Sequence, residues 1–212
     1  MKLAAAFLVF LNNFMLPASR PQMKEDDVRA LLSEKGLPSL ADSVVLLAIR
    51  GYYKDSMGKV GVNDVGIYDD AMFVVGPNVF AAFNANTDPS RLGWNEGVGK
   101  PFAVLQKGLW YFRRGQHKKQ LKALRQCTDE EAESRNIPDD GEFLVERSRG
   151  EGDARNYKEK GYFAINIHAG GNNGTSSWGC QTLPPDQFVE FIDLVYSETL
   201  KHQQTRIPYL LC

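Results

Sequence analysis

Residues 67–83 read IYDDAMFVVGPNVFAAF. Two apolar runs, 67–75 and 79–83, flank Gly76-Pro77-Asn78, and such short runs around a Gly-Pro turn signal predict two adjacent strands. Working outward, residues 43–49 form a β-branched, leucine-rich run that reads as a buried strand. Residues 102–112 are apolar and aromatic, broken by Gly108, and predict a strand pair; 162–167 and 207–211 add two more strands. Only two helices are predicted. Residues 24–35 carry acids early, then Val28, Leu31 and Leu32, with Gly36 as a stop. Pro184 and Pro185 open the second, whose apolar face is Phe188, Phe191, Ile192, Val195 and Tyr196. The expected fold is a β-dominated α+β domain over residues 23–212. Residues 127–158, rich in charge, glycine and serine, are expected to be an exposed polar insertion with one short strand at Phe143-Leu144-Val145.

The formal net charge of −1 gives no basic excess to attract nucleic acid. The one basic run, 113–119, reads as a solvated segment or as a patch for an anionic polymer such as the cell wall. Lys2 followed by the apolar stretch 3–11 is similar to the start of a secretory signal, although Met23 is an alternative first residue. Asn12 and Asn13 cut that stretch too short for a membrane span. Residues 1–22 are therefore expected to stay out of the core. The three cysteines, Cys127, Cys180 and Cys212, leave at least one thiol without a partner in its own chain. Cys127 and Cys212 could pair if the protein is exported.

The chemistry is concentrated in residues 163–183, FAINIHAGGNNGTSSWGCQTL. His168 stands at the expected end of a strand, and Cys180 follows a loop rich in glycine and serine. A cysteine attacks as its thiolate, and a neighbouring imidazole can take the proton. Glycine beside the cysteine permits close approach of a substrate and an unusual backbone turn. Backbone N–H groups around Ser177–Cys180 could face the oxyanion formed on an attacked carbonyl.

This pattern of a histidine, a glycine-containing loop and Ser177-Trp178-Gly179-Cys180 resembles the catalytic domain of the L,D-transpeptidases (YkuD-type). The resemblance covers residues 160–183 and implies a β-sandwich or barrel with a few peripheral helices. It makes Cys180 the nucleophile and His168 the base, with Ser177, Trp178 and Gly179 shaping the site. Trp178 stands where the family has a second histidine, the His-to-Cys separation is shorter, and Gln181-Thr182 replaces the usual residues after the cysteine. Such variants resemble members encoded by bacteriophages, endolysin-like proteins that cut peptidoglycan stem peptides during lysis. The implied setting is periplasmic or cell-wall-facing, by export or release at lysis, for a monomer without a cofactor or metal.

Arg50, Tyr52, Tyr68 and Asn86 are the candidate substrate-binding residues. Tyr68 and Asn86 belong to a cluster with Asp64, Asp69, Asp70, Asn84 and Asp88, which suits calcium, the amines of a stem peptide, or ordinary turns. The alternative function is a catalytically inactive module of the same fold that only binds cell-wall peptide. A metallopeptidase is disfavoured, because the three histidines are scattered and no HExxH is present.

Overall fold

The computed structural model describes residues 15–37, 43–90, 101–118, 121–126, 141–150 and 152–212. Among these are two helices and eleven strands: α1 (Glu25–Glu34), β1 (Val45–Ile49), β2 (Asp70–Gly76), β3 (Val79–Ala85), β4 (Phe102–Leu105), β5 (Gly108–His117), β6 (Leu121–Gln126), β7 (Phe143–Ser148), β8 (Tyr157–Gly161), β9 (Asn166–Ala169), β10 (Gln181–Leu183), α2 (Pro185–Lys201) and β11 (Ile207–Leu211). The β-dominated expectation holds. Eight strands form one sheet in the order β10-β9-β6-β5-β11-β1-β2-β3, and β4-β7-β8 form a second. The large sheet is nearly closed. Just beyond β3, Asn86 exchanges backbone hydrogen bonds of 2.8 Å with Thr182 of β10, at the opposite edge.

The 67–83 hairpin forms as β2 and β3, paired from Asp70↔Ala85 to Gly76↔Val79. The run of apolar residues in β1 and β2 has a physical reason: both faces are covered. On one face Val45, Leu47, Phe73 and Val75 pack against Val28 and Leu32 of α1. On the other, Leu46, Met72 and Val74 join the main core with Phe112, Leu124, Ile167 and Tyr209. Helix α2 packs on the sheet through the expected apolar face, its Phe191 and Val195 fully buried in that core. Removing the Phe191 ring by Phe191→Ala should cost about 3–5 kcal/mol.

Four expectations are corrected. The strand expected at 162–167 begins only at Asn166 and runs to Ala169, so His168 lies within β9 and not just past its end. Residues 102–112 are not a strand pair: β4 belongs to the small sheet and β5 to the large one. The part of the 127–158 segment that is described is not simply an exposed insertion. Phe143 and Val145 of β7 are fully buried in the main core, and β8 completes the small sheet; residues 127–140 lie outside the described residues. Residues 15–22 do not stand off the domain. Pro21 is buried, Met15 O accepts the Tyr68 N–H at 2.9 Å, and Arg20 forms a bidentate pair with Glu190 of α2.

Candidate active site

Strands β9 and β10 run parallel, with Gln181 opposite Ile167 and Thr182 opposite His168. That register sets Cys180, the residue before β10, beside Asn166. The Asn166 backbone N–H donates to Cys180 Sγ at 3.4 Å. His168 is two residues beyond Asn166 on the same strand, so the pleat sends both side chains to one face. His168 and Cys180 line one cleft of about 910 Å³, together with His117, Leu121, Trp178 and Phe188. The two residues that the sequence singled out are thus brought to the lining of one cleft, with Cys180 partly buried in its wall.

His168 is mostly buried, and its Nδ1 lies 2.7 Å from the Ala169 carbonyl oxygen. A carbonyl only accepts, so Nδ1 carries the proton and Nε2 keeps its lone pair. Burial lowers the imidazole to about 4; the Ala169 bond opposes this, while the nearby His117 and Lys118 add to it. Burial pushes the Cys180 thiol up, against the smaller opposing effect of the Asn166 N–H. Sγ and the His168 ring share no hydrogen bond. The resting pair at neutral pH is therefore a neutral thiol beside a neutral imidazole, not the thiolate that the sequence pattern suggests. Proton transfer would have to accompany attack on a bound carbonyl.

The loop before Cys180 is held from within. Ser177 Oγ accepts the Gly179 N–H at 3.0 Å and donates to the Cys180 carbonyl at 2.5 Å. The Ser177 carbonyl in turn accepts the Ser90 N–H. The Gly179 N–H is consequently engaged and not a free oxyanion donor. Gly170, just past His168, is glycine for steric reasons: a Cβ there would lie 2.2 Å from the Tyr68 hydroxyl. Tyr68 is buried and donates to Gly171 O at 2.8 Å, so it buttresses the loop after His168 instead of binding substrate.

The other candidate binding residues lie elsewhere. The Arg50 guanidinium reaches Thr87 Oγ1, the Thr87 and Leu105 carbonyls and the Asp88 carboxylate, tying three segments together. The Tyr52 hydroxyl accepts the Gln22 and Met23 N–H groups. Asn86 is fully buried at the seam between β3 and β10. In the acidic cluster, Asp70 accepts bonds from Gly51 N, Thr87 N and Thr87 Oγ1, and Asp69 from Asp64 N. These are turn-fixing contacts. Burial, reinforced by neighbouring carboxylates, raises both carboxyls above the usual range. Among the described residues no group of three His, Cys, Asp or Glu side chains is set to hold a metal ion. Cys180 and Cys212 are free thiols, and Cys127 lies outside the described residues.

Two residues of the site escaped the sequence reading. His117, at the end of β5, stacks on His168 with ring centroids 4.2 Å apart and planes 13° from parallel. Asn166 Nδ2 lies 3.1 Å from His117 Nδ1. The alternation of Asn166 with His168 was a usable signal for Asn166; nothing local marks His117. Comparison with protein-family models, with curated proteins and with solved structures gives no match. No described helix is long and apolar enough to cross a membrane.

Proposed function

We propose that the chain is a cysteine-dependent acyl-transfer enzyme of the L,D-transpeptidase-like kind, acting on the stem peptides of peptidoglycan. The observation that carries this reading is the shared cleft: Cys180 and a His168 whose Nδ1 is fixed on Ala169 O, leaving Nε2 as base. In the first half-reaction the Cys180 thiol proton passes to His168 Nε2 while sulfur attacks the peptide carbonyl. The C–N bond then breaks, the leaving amine takes the proton from His168, and a thioester remains. Water ends the cycle by hydrolysis, or an amine ends it by transpeptidation, and either frees Cys180. The cleft carries the exposed apolar side chains of Trp178, Leu121 and Val189, which would contact a peptide bound there. A protein with this activity would work on the wall-facing side of a bacterial membrane or during lysis.

The test is mass spectrometry of muropeptides after incubation of purified peptidoglycan with wild type and with Cys180→Ala. New cleaved or exchanged stem peptides made by the wild type alone support the reading. Equal products from both proteins, or none from either, sink it.

A second reading, a module that binds wall peptide without reacting, is favoured by one observation. The thiol and the imidazole are both neutral and not hydrogen-bonded to each other. Retention of the protein on insoluble peptidoglycan with no change in muropeptides would select it.

A further inference from the structure

The imidazole of His117 stacks on one face of the His168 ring, at a centroid distance of 4.2 Å and an interplanar angle of 13°. It comes from β5, while His168 comes from β9; β6, paired to both, separates them in the sheet. His117 is itself held. Asn166 Nδ2 is a donor, so His117 Nδ1 accepts and its proton sits on Nε2. The same Asn166 gives its backbone N–H to Cys180 Sγ. One residue therefore links the thiol to the ring that packs on the base. The His168 ring is gripped at its edge by Ala169 O and on its face by His117. An imidazole held only by its Nδ1 bond could turn about its side-chain torsions; a second ring stacked on it removes that freedom.

We infer that His117 is a positioning residue of the Cys180–His168 site, its ring face fixing the plane and tautomer in which His168 presents Nε2 to the cleft. The link to catalysis rests on the acyl-transfer reading above; the link to ring geometry does not. His117 does not touch a reacting atom. Its effect is to hold the His168 ring in the plane in which the Ala169 bond keeps Nδ1 protonated, with one face packed against a second ring. The charged or titratable groups that act on the His168 ring or share its cleft are His117 at the end of β5, Lys118 just beyond it, Cys180 before β10, Lys122 of β6 and Asp193 of α2; Arg125 of β6 acts on His117.

The decisive measurement is ring nitrogen-15 NMR of full-length protein, which needs no turnover. With three histidines in the chain, the signals are few enough to assign by single substitutions. Three variants separate the ring face from the hydrogen bond. His117→Phe keeps an aromatic face and loses the acceptor for Asn166. His117→Gln keeps an acceptor and loses the face, and His117→Ala loses both. In wild type and His117→Phe, His168 should show the Nδ1-protonated tautomer alone at neutral pH. In His117→Gln and His117→Ala it should show a mixture of tautomers, and its titration should move up by about one pH unit as the freed face regains water. Turnover of peptidoglycan peptides should fall roughly ten- to a hundredfold in those two variants with KM unchanged.

Wild-type tautomer and titration in both His117→Gln and His117→Ala would overturn the inference. So would a His117→Phe protein whose His168 is as disordered as in His117→Ala. An altered tautomer with unchanged turnover would overturn the catalytic link. If Cys180→Ala instead left peptidoglycan cleavage intact, the acyl-transfer reading would fail while the tautomer result stood.

Discussion

Gly179 rests directly on the backbone of Ala103: a Cβ at residue 179 would lie 2.4 Å from the Ala103 carbonyl oxygen. Its φ of +145° is also one that residues with side chains avoid. This contact ties the loop carrying Cys180 to β4 of the small sheet, so the second sheet sets where the thiol sits. Because the obstructing atom is backbone, it cannot swing aside. Gly179→Ala should displace the loop, cost about 1–3 kcal/mol of stability, and lower turnover roughly a hundredfold. Thermal melting and kcat measured together check it. Wild-type values for both would mean that the contact does not constrain the thiol.

The neutral thiol and imidazole fix a pH dependence. His168 must be neutral to accept a proton, and its value of about 4 keeps it so well below the ordinary range for histidine. The acid limb of kcat/KM should accordingly fall near pH 4 and not near 6.5. The same depression acts on stability. Between about pH 6.5 and 4 the unfolded chain takes up a proton on residue 168 that the folded chain refuses, so this contribution is present above that window and lost as pH falls through it. At the other end, burial raises the Cys180 thiol. Alkylation of Cys180 by iodoacetamide at pH 7 should therefore be slower than that of an unfolded control. Fast labelling at pH 7 would show a thiolate at rest and contradict this assignment.

Much of the fold is legible because its core strands are continuous apolar runs, those of β1 and β2 buried on both faces. The runs at 43–49, 67–75 and 79–83 became β1, β2 and β3, and 207–211 became β11. The strands that escaped notice are ones whose residues do not alternate. β6 (LKALRQ) has two exposed residues at its start, β8 (YKEKG) is charged and on an edge, and β10 has three residues. Each owes its existence to pairing with a distant partner and not to its own pattern. The site divides the same way. His168 and Cys180 are 12 residues apart, joined by a loop whose glycines announce it. His117 is brought in only by the antiparallel register of β5, β6 and β9, which no local window contains.

Arg50 illustrates a candidate binding residue that folding claims instead. Its side chain is 12% exposed, and that of its partner Asp88 5%. Three further hydrogen bonds tie it to Thr87 and Leu105. Removing one partner of such a pair strands the other without compensation. Arg50→Met should destabilise the protein by about 3 kcal/mol and leave KM for wall peptides unchanged. Urea unfolding and steady-state kinetics measure the two effects separately. A raised KM with unaltered stability would return Arg50 to the substrate site.

Trp178 presents the opposite case. It is 65% exposed although large and apolar, and it lines the cleft beside Cys180. Among the described residues its ring contact is an edge-on approach to Phe102, with centroids 6.0 Å apart. An aromatic pair of that kind is worth about 1 kcal/mol, so packing with Phe102 is a weak reason to hold an indole in water beside a thiol. A peptide lying in the cleft would cover it and recover the cost of its exposure. Trp178→Ala should thus lower stability by about 1 kcal/mol or less and raise KM for stem peptides roughly tenfold, equal to about 1.4 kcal/mol of binding, with kcat within a factor of about two. Trp178→Phe, which keeps a flat apolar face, should restore most of the lost affinity. If instead both variants lose kcat while KM holds, the indole acts on the geometry of the Cys180 loop through Phe102 and not on the substrate.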